Sequence, residues 1–527
     1  MIEPLSSSTG KNVGQNGKLR PPSGHSLPDF DKSIILRNPR QFAQNKEPLK
    51  DSFFENLIQE NIINKNSNSG KRRDHFAVRA GLIASEVRAL INTLSDAHKI
   101  KLKEIVKALE PDKEMLRGAV FSGGEIRVVA ECGAVIVINT LAELLGIVYS
   151  KENPKPTFSH FSGGSAGSFP AAGMAFRSLN SSIFKTSADT DFRKFFNAPD
   201  ALKKWVEVFM KRGYNIATGK HTHEITGEHL DELGSDLQVL VAGFRRRILI
   251  YPQVYLLPRE LESKFGIDSK KFKIKDLIRA TANLPLLFYP LTDLFKTCGN
   301  CFLEDNKGTK YHLFDPGIVQ KYLTPLNLQL EEIEQYMEGK IDKPGFYFIV
   351  GNKPCKEDGV PEKMFGQPTN KAFYWIYAKA LTMSNIIDKY ILGESSQVLK
   401  KVGAQRAYVT SFAEATNPIT KKVAKLQLGG FDISSEDRGT LICANIPTSD
   451  YKDLPFDGAI DQLHKQLVDP LFIQSEGKQG KSAYQLFKDD IDKAIGKENK
   501  NEPAHPGFST LYAIKRLAGH IRRIAPF

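Results

Sequence analysis

Gly163-x-Ser165-x-Gly167 lies in the stretch HFSGGSAGSFPAAGMAF (160–176) and sets one hydroxyl between two glycines. An extended-looking run precedes it and an alanine-rich run follows it. A strand, a tight turn and a helix are the setting of a nucleophile elbow. Glycines let strand and helix approach closely around a strained serine. The helix N-terminus adds backbone N–H groups and a partial positive charge near the reacting centre. The plainer reading is a strand-to-helix glycine turn, which would not require serine at its apex.

A serine hydroxyl needs a base. An α/β-hydrolase would supply it in the order Ser, then Asp or Glu, then His. His221, His223, His229, His312, His464, His505 and His520 lie downstream, and His464 is the candidate for such a Ser-His-Asp arrangement. His221 and His223, in GKHTHE, read as solvated. The second possible base is Asp315, in YHLFDPGIVQKYLTPLN (311–327). It follows an apolar run and precedes Pro316-Gly317, which puts a carboxylate on a turn at a strand end. Pro316 restricts Asp315 to an extended conformation. A carboxylate there can take the serine proton directly.

The elements that must position these groups alternate. Residues 75–110 have apolar residues at helical spacing and predict two helices. GAVFSGG (118–124) predicts a short strand ending in glycines, followed by a helix over about 128–146. TFSHFSGG (157–164) is a second strand and SAGSFPAAGMAFRSL a second helix. LQVLVAGFRRRILIYPQVYLL (237–257), GFYFIVGN (345–352) and AYVTSF (407–412) have strand composition. Such alternation argues for a mostly parallel sheet with helices on both faces. Residues 1–74 are rich in Ser, Asn, Pro, Gly and Lys and read as a flexible polar tail with one short helix over 51–63. Past residue 370 the chain reads as mainly helical.

Three ordered blocks resemble the patatin-like phospholipase family. SGGEIRVVAECGAVIVINTLAELLGI (122–147) is similar to its glycine-rich oxyanion loop and following helix. GGSAG (163–167) is similar to its nucleophile elbow. IKDLIRATANLPLLFYPL (274–291), leading to LFDPGIV (313–319), is similar to its Arg-Ala-Ser/Thr helix, proline loop and Asp-Gly turn. The resemblance covers roughly 118–330 and extends towards FDISSEDRGTLICA (431–444).

The resemblance implies an α/β three-layer core with a mostly parallel central sheet. Its catalytic domain would span 75–335, and a C-terminal region, 336–527, would complete the sheet and then turn mainly helical. It implies a Ser165–Asp315 dyad that hydrolyses phospholipid esters through an acyl-serine, with no metal or cofactor. Backbone N–H groups around Gly123, Gly124 and Glu125 would hold the oxyanion, and Gly163 and Gly167 would frame the elbow. Arg127 would support the loop or steer an anionic headgroup, against a plain surface arginine. Glu125 and Val128 stand where the family has glycines, and Pro316 where the Asp turn has one. Those departures leave room for a non-catalytic lipid- or protein-binding module on the same scaffold. Bacterial members delivered into host cells and switched on by a host protein make a host activator an expected partner.

Composition sets the remaining bounds. The chain has 527 residues, 41% hydrophobic and 25% charged, with a formal net charge of +13. That excess favours acidic partners such as an anionic membrane surface. Aromatic residues do not interleave with base-reading patterns, so nucleic acid is not expected. STLYAIKRLAGHIRRIAPF (509–527) reads as a basic amphipathic helix suited to an anionic interface or to packing on the body. GFRRRIL (243–249) is a second basic cluster that reads as a solvated edge. No apolar run reaches the roughly 20 residues of a bilayer crossing, and the N-terminus lacks the apolar core of a secretory signal. The expectation is a cytoplasmic or peripheral membrane protein. The five cysteines are odd in number, and TCGNC (297–301) lacks the second ligand pair of a zinc site.

Overall fold

The strand that opens the sheet, LRGAVF, is a short apolar run buried along nearly its whole length, as a strand with neighbours on both sides must be. The computed structural model describes residues 49, 51–66, 74–193, 199–245, 248–258, 260–283, 302–316, 345–353, 363–364, 367–368, 371, 406–417, 420–426, 433–444 and 459–468. Its main strands are β1 (Leu116–Phe121), β2 (His160–Gly164), β3 (Asp236–Arg245), β4 (Ile248–Leu257), β5 (Phe302–Glu304), β6 (Lys310–Phe314), β7 (Phe346–Lys353) and β8 (Arg406–Phe412). Its main helices are α1 (His75–Thr93), α2 (Asp96–Leu109), α3 (Val128–Leu144), α4 (Ser168–Ala175), α5 (Asn180–Asp189), α6 (Pro199–Thr218), α7 (Ile274–Thr281), α8 (Ser435–Ala444) and α9 (Ala459–Leu467).

The strands form one eight-stranded sheet in the order β8-β7-β1-β2-β3-β6-β5, with β4 also paired to β3. Neighbours from β8 through to β3 run parallel. β4, β5 and β6 add an antiparallel extension. The sheet is therefore mixed, with the expected parallel part carrying the carboxyl-end geometry of an α/β fold. The strand-like run 237–257 is a hairpin, closed by the pair Arg245↔Ile248. Arg246 and Arg247 of the basic cluster lie outside the described residues, as does 509–527.

The pairing around β3 fixes where two strand ends meet. Val239 pairs with Gly163 of β2 and with Leu257 of β4, so β2 and β4 take opposite edges. Ala242 pairs with Val254 of β4 and with Phe314 of β6, so β4 and β6 do the same. β2 and β6 therefore lie in line along a single edge of β3, running towards each other. β2 ends at the pair Gly164↔Leu240 and β6 at Phe314↔Ala242. The next residues of the two strands are Ser165 and Asp315.

Alternate strand residues such as Ala119, Phe121, Phe161, Val239, Phe348 and Val409 join the helices in a common core. Val120 and Tyr347, which point the other way, form their own buried cluster. Helix α3 is apolar almost all round and buried almost throughout, as such a helix must be. It stops at Gly146, whose φ of +65° turns the chain away at no steric cost. The short α4 is entered at Ser165 and left at Arg177, both non-glycine residues with positive φ (52° and 58°).

Of the expected flexible tail, residues 1–48 lie outside the described residues, while 51–66 are described. Helix Ser52–Leu57 continues through a wider turn, Ile58–Asn64, and the expected short helix is thus present. It is packed rather than loose: Phe54, Ile58 and Ile62, spaced four apart, are fully buried. A four-residue spacing places them on one face of the helical segment. Asp51 pairs with Lys103 at 2.6 Å.

The region beyond 335 is tied to the same body. It supplies β7 and β8, and α8 is anchored by Arg438 Nε donating to Ala188 O at 2.8 Å. Helix α9 is clipped to α2 through Asp461, which accepts from Lys101 at 2.7 Å. The described part past 370 holds strands as well as helices, including the hairpin Glu414–Thr416 with Val423–Lys425.

Replacing Phe54 with Ala should remove about 3 kcal/mol or more of stability, the usual cost of truncating a buried aromatic. Urea unfolding checks it. A loss below about 1 kcal/mol would show that the segment is peripheral to the core.

Candidate active site

A backbone constraint comes first. At the end of β2 the chain must turn sharply into α4, and it does so by holding Ser165 at φ +52°. A non-glycine residue there is strained by about 1–3 kcal/mol, so its surroundings must over-determine it. They do. The Ser165 N–H donates to Thr281 Oγ1 at 2.8 Å, and Ser168 Oγ donates to Ser165 O at 2.7 Å. A Cβ at Gly163 would lie 2.3 Å from Gly167 O, and one at Gly167 would lie 2.7 Å from Phe121 O. Both positions need glycine because backbone passes against backbone.

Asp315 arrives from the other direction, at the end of β6. It is 1% exposed and Ser165 8%. Ser165 Oγ donates to Asp315 Oδ2 at 2.5 Å. The Asp315 N–H donates to Asn283 O at 3.0 Å, while Asn283 Nδ2 donates to Leu313 O at 3.0 Å. Arg279 Nη1, buried, donates to Asn283 Oδ1 at 3.3 Å. The two side chains are thus in direct hydrogen-bond contact, with no histidine between them.

The glycine loop after β1 closes a third side. A Cβ at Gly123 would lie 2.8 Å from Gly164 O and 2.9 Å from Ser165 Cβ, so this loop touches the serine. The loop is held at its start by Ser122 N–H donating to Val350 O at 2.9 Å. Ser122 Oγ donates to Glu131 Oε1 at 3.2 Å in the first turn of α3. At the far side, the Arg127 N–H and Arg127 Nε both donate to Gly124 O, at 3.1 and 3.3 Å. Because a trans peptide sets C=O and N–H antiparallel, pinning Gly124 O turns the Glu125 N–H away from Arg127. Arg127 is only 4% exposed, which excludes the surface-arginine reading and a free headgroup-steering side chain. The Glu125 carboxylate lies outside the described side chains.

The other sequence candidates lie elsewhere. His464 is on α9, not at a strand-end loop, and its Nε2 meets Glu104 Oε2 of α2 at 2.5 Å. That pairing commits it to a helix–helix contact, so the Ser-His-Asp assignment to His464 does not hold. His221 and His223 are exposed. His229 caps its own helix through Thr226, and His312 is buried within β6. Cys298 and Cys301, His505 and His520 lie outside the described residues. Among the described residues no cluster of His, Cys, Asp and Glu could hold a metal ion, and no helix is long and apolar enough to cross a membrane.

Sequence reasoning assigned no role to Thr281, Asn283, Ser122 or Glu131. The usable signal was two polar residues, Thr281 and Asn283, spaced two apart where an amphipathic helix ends.

Gly163→Ala should destabilise the protein by about 1–3 kcal/mol or more, because the new methyl meets backbone that cannot move aside. Thermal or urea unfolding reads this directly. An unchanged midpoint would mean that the elbow is looser than its contacts imply.

Residues 119–321 match the family model described as Patatin-like phospholipase. Among solved structures, VipD from Legionella pneumophila aligns over 78% of this chain and 86% of its own, at 12% identity and a TM-score of 0.28. No curated protein matches the chain. The family match spans the glycine loop, the elbow and Asp315 together, so the part of this chain that carries the Ser165–Asp315 contact is the part similar to patatin-like phospholipases.

Proposed function

We propose that the chain is a lipid acyl hydrolase of the phospholipase A type, with Ser165 as nucleophile and Asp315 as base. The observation that carries this reading is the direct 2.5 Å hydrogen bond from Ser165 Oγ to Asp315 Oδ2 beside a glycine loop. In this mechanism Asp315 accepts the Ser165 proton as Oγ attacks the ester carbonyl carbon. The carbonyl oxygen becomes an oxyanion, which amides of the Gly123–Glu125 loop stabilise. The N-terminal turn at Ser165–Gly167 and α4 adds a fixed partial positive charge on the same side. Collapse breaks the ester C–O bond, and the leaving alkoxide takes the proton from Asp315. Water then gives its proton to Asp315 as its oxygen attacks the acyl-serine carbonyl; collapse breaks the C–Oγ bond, Oγ takes the proton back from Asp315, and fatty acid leaves. The substrate is presented at a membrane surface, and the net charge of +13 favours an anionic one.

Three variants assayed on mixed phosphatidylcholine–phosphatidylserine vesicles test the reading. Ser165→Ala should abolish fatty-acid release. Asp315→Asn should lower it by about 10²–10⁴-fold, the range for a positioned general base. Gly123→Ala, which crowds Ser165, should lose about 10²-fold or more, since misplacing a reacting group by a fraction of an ångström is costly. A protein that releases no fatty acid, with all four forms folded and bound equally to vesicles, would instead be a lipid-binding module.

A further inference from the structure

The polar groups of helix α7's C-terminal end all face one problem, which is how to keep a serine with positive φ and a carboxylate in register. Thr281 is fully buried and its hydroxyl has a fixed polarity. Its proton goes to Leu240 O at 2.6 Å, so its lone pairs are what face the Ser165 N–H at 2.8 Å. Leu240 is the β3 residue that pairs with Gly164, immediately before the serine. The hydroxyl therefore bridges α7, β3 and the elbow. Two residues later, Asn283 O accepts the Asp315 N–H. Both members of the pair hang from the same helix end.

We propose that Thr281 is a positioning residue for Ser165: its hydroxyl holds the serine backbone in the strained conformation that aims Oγ at Asp315, and Asn283 holds the opposite partner. This rests on Ser165 being the nucleophile. Two consequences follow from the hydrogen bonds. The Ser165 N–H is already used by Thr281, so the oxyanion donors are the amides of the Gly123–Glu125 loop and of residues after Ser165. The Ser165–Asp315 separation is set by α7 rather than by the elbow alone, because the strand ends meet head-on with no chain linking them.

Removing the hydroxyl while keeping its shape, as in Thr281→Val, leaves the buried Ser165 N–H and Leu240 C=O without partners. The serine then relaxes from its aimed conformation. The effect falls on the reaction step and not on lipid binding, because the described hydrogen bonds of Thr281 both go to backbone groups of the protein interior, and its side chain is fully buried. Thr281→Ser keeps the hydroxyl and loses a methyl. Thr281→Cys keeps roughly the volume and offers only a weak acceptor.

The test measures covalent labelling of Ser165 by a fluorophosphonate probe and, separately, kcat and KM for fatty-acid release from vesicles. Labelling and kcat should fall in the order wild type, Ser, Cys, Val, with the Val variant down about 10²-fold and KM unchanged. Thr281→Ser should recover most of the wild-type labelling rate. Should Thr281→Val not fold, the Ser and Cys variants carry the comparison. Wild-type kcat and labelling in the Cys or Val variant would overturn the assignment, and so would a Ser variant as slow as Cys, which would make the methyl the operative group. Wild-type protein that the probe labels nowhere near Ser165 would instead overturn the nucleophile reading itself.

Discussion

One edge of β3 governs the rest of the molecule. β2 climbs it as far as Leu240 and β6 descends it as far as Ala242. The gap between them is a single residue of β3, and the chains that leave it carry Ser165 and Asp315. A hydrogen bond across 150 residues of sequence is therefore a local matter in space. It needs no flexible side chain to reach out, and both groups are brought to it by backbone. That is why the glycines at 123, 163 and 167 are demanded by close approach of main chain to main chain, with contacts under 3 Å for any added Cβ.

Strain at Ser165 is sustained by burial and by hydrogen bonds to Thr281, Ser168 and Asp315. The same device recurs at the other end of α4. Arg177, at φ +58°, donates to Phe158 O at 3.2 Å and lies 5.5 Å over the Phe161 ring. Burial, with Arg79 nearby, pushes its pKa down to about 9. Glu143 is drawn in the opposite direction, raised by burial and restrained by Arg79, with which it pairs at 2.9 Å. Removing one partner from such a buried ion pair typically costs about 3–5 kcal/mol, because the other charge is left stranded. These groups sit at the far end of α3 and α4 from Ser165. They hold the helices whose opposite, N-terminal ends frame the reacting pair.

Distant parts of the chain brace this arrangement. The segment 51–66 buries Phe54, Ile58 and Ile62, and its Asn61 Nδ2 donates to Leu144 O at the end of α3, at 2.8 Å. Helix α9 is held to α2 by Asp461, whose carboxyl burial would raise but whose bonds from His98 and Lys101 lower overall. The domain matched by the family model is thus not a separate body: β7, on which the glycine loop hangs through Val350 O, comes from beyond residue 321.

The elements and the elbow were legible in the sequence because their causes are local. Apolar periodicity marks β1, α3 and β2, glycine spacing marks the turn at Ser165, and Pro316 marks Asp315 as a strand end. Other facts depend on which surfaces close over which, and no window of sequence holds that information. The Arg127 side chain is buried because its head group finds Gly124 O, and His464 is engaged because α2 presents Glu104 to it. Thr281 could be seen as one polar residue at a helix end, but its purpose appears only when β3 and the elbow are packed beside it. Local sequence set the strands, the turns and the chemistry each could carry. Long-range pairing alone decided that β2 and β6 share an edge, because edge choice is a competition between strands far apart in the chain.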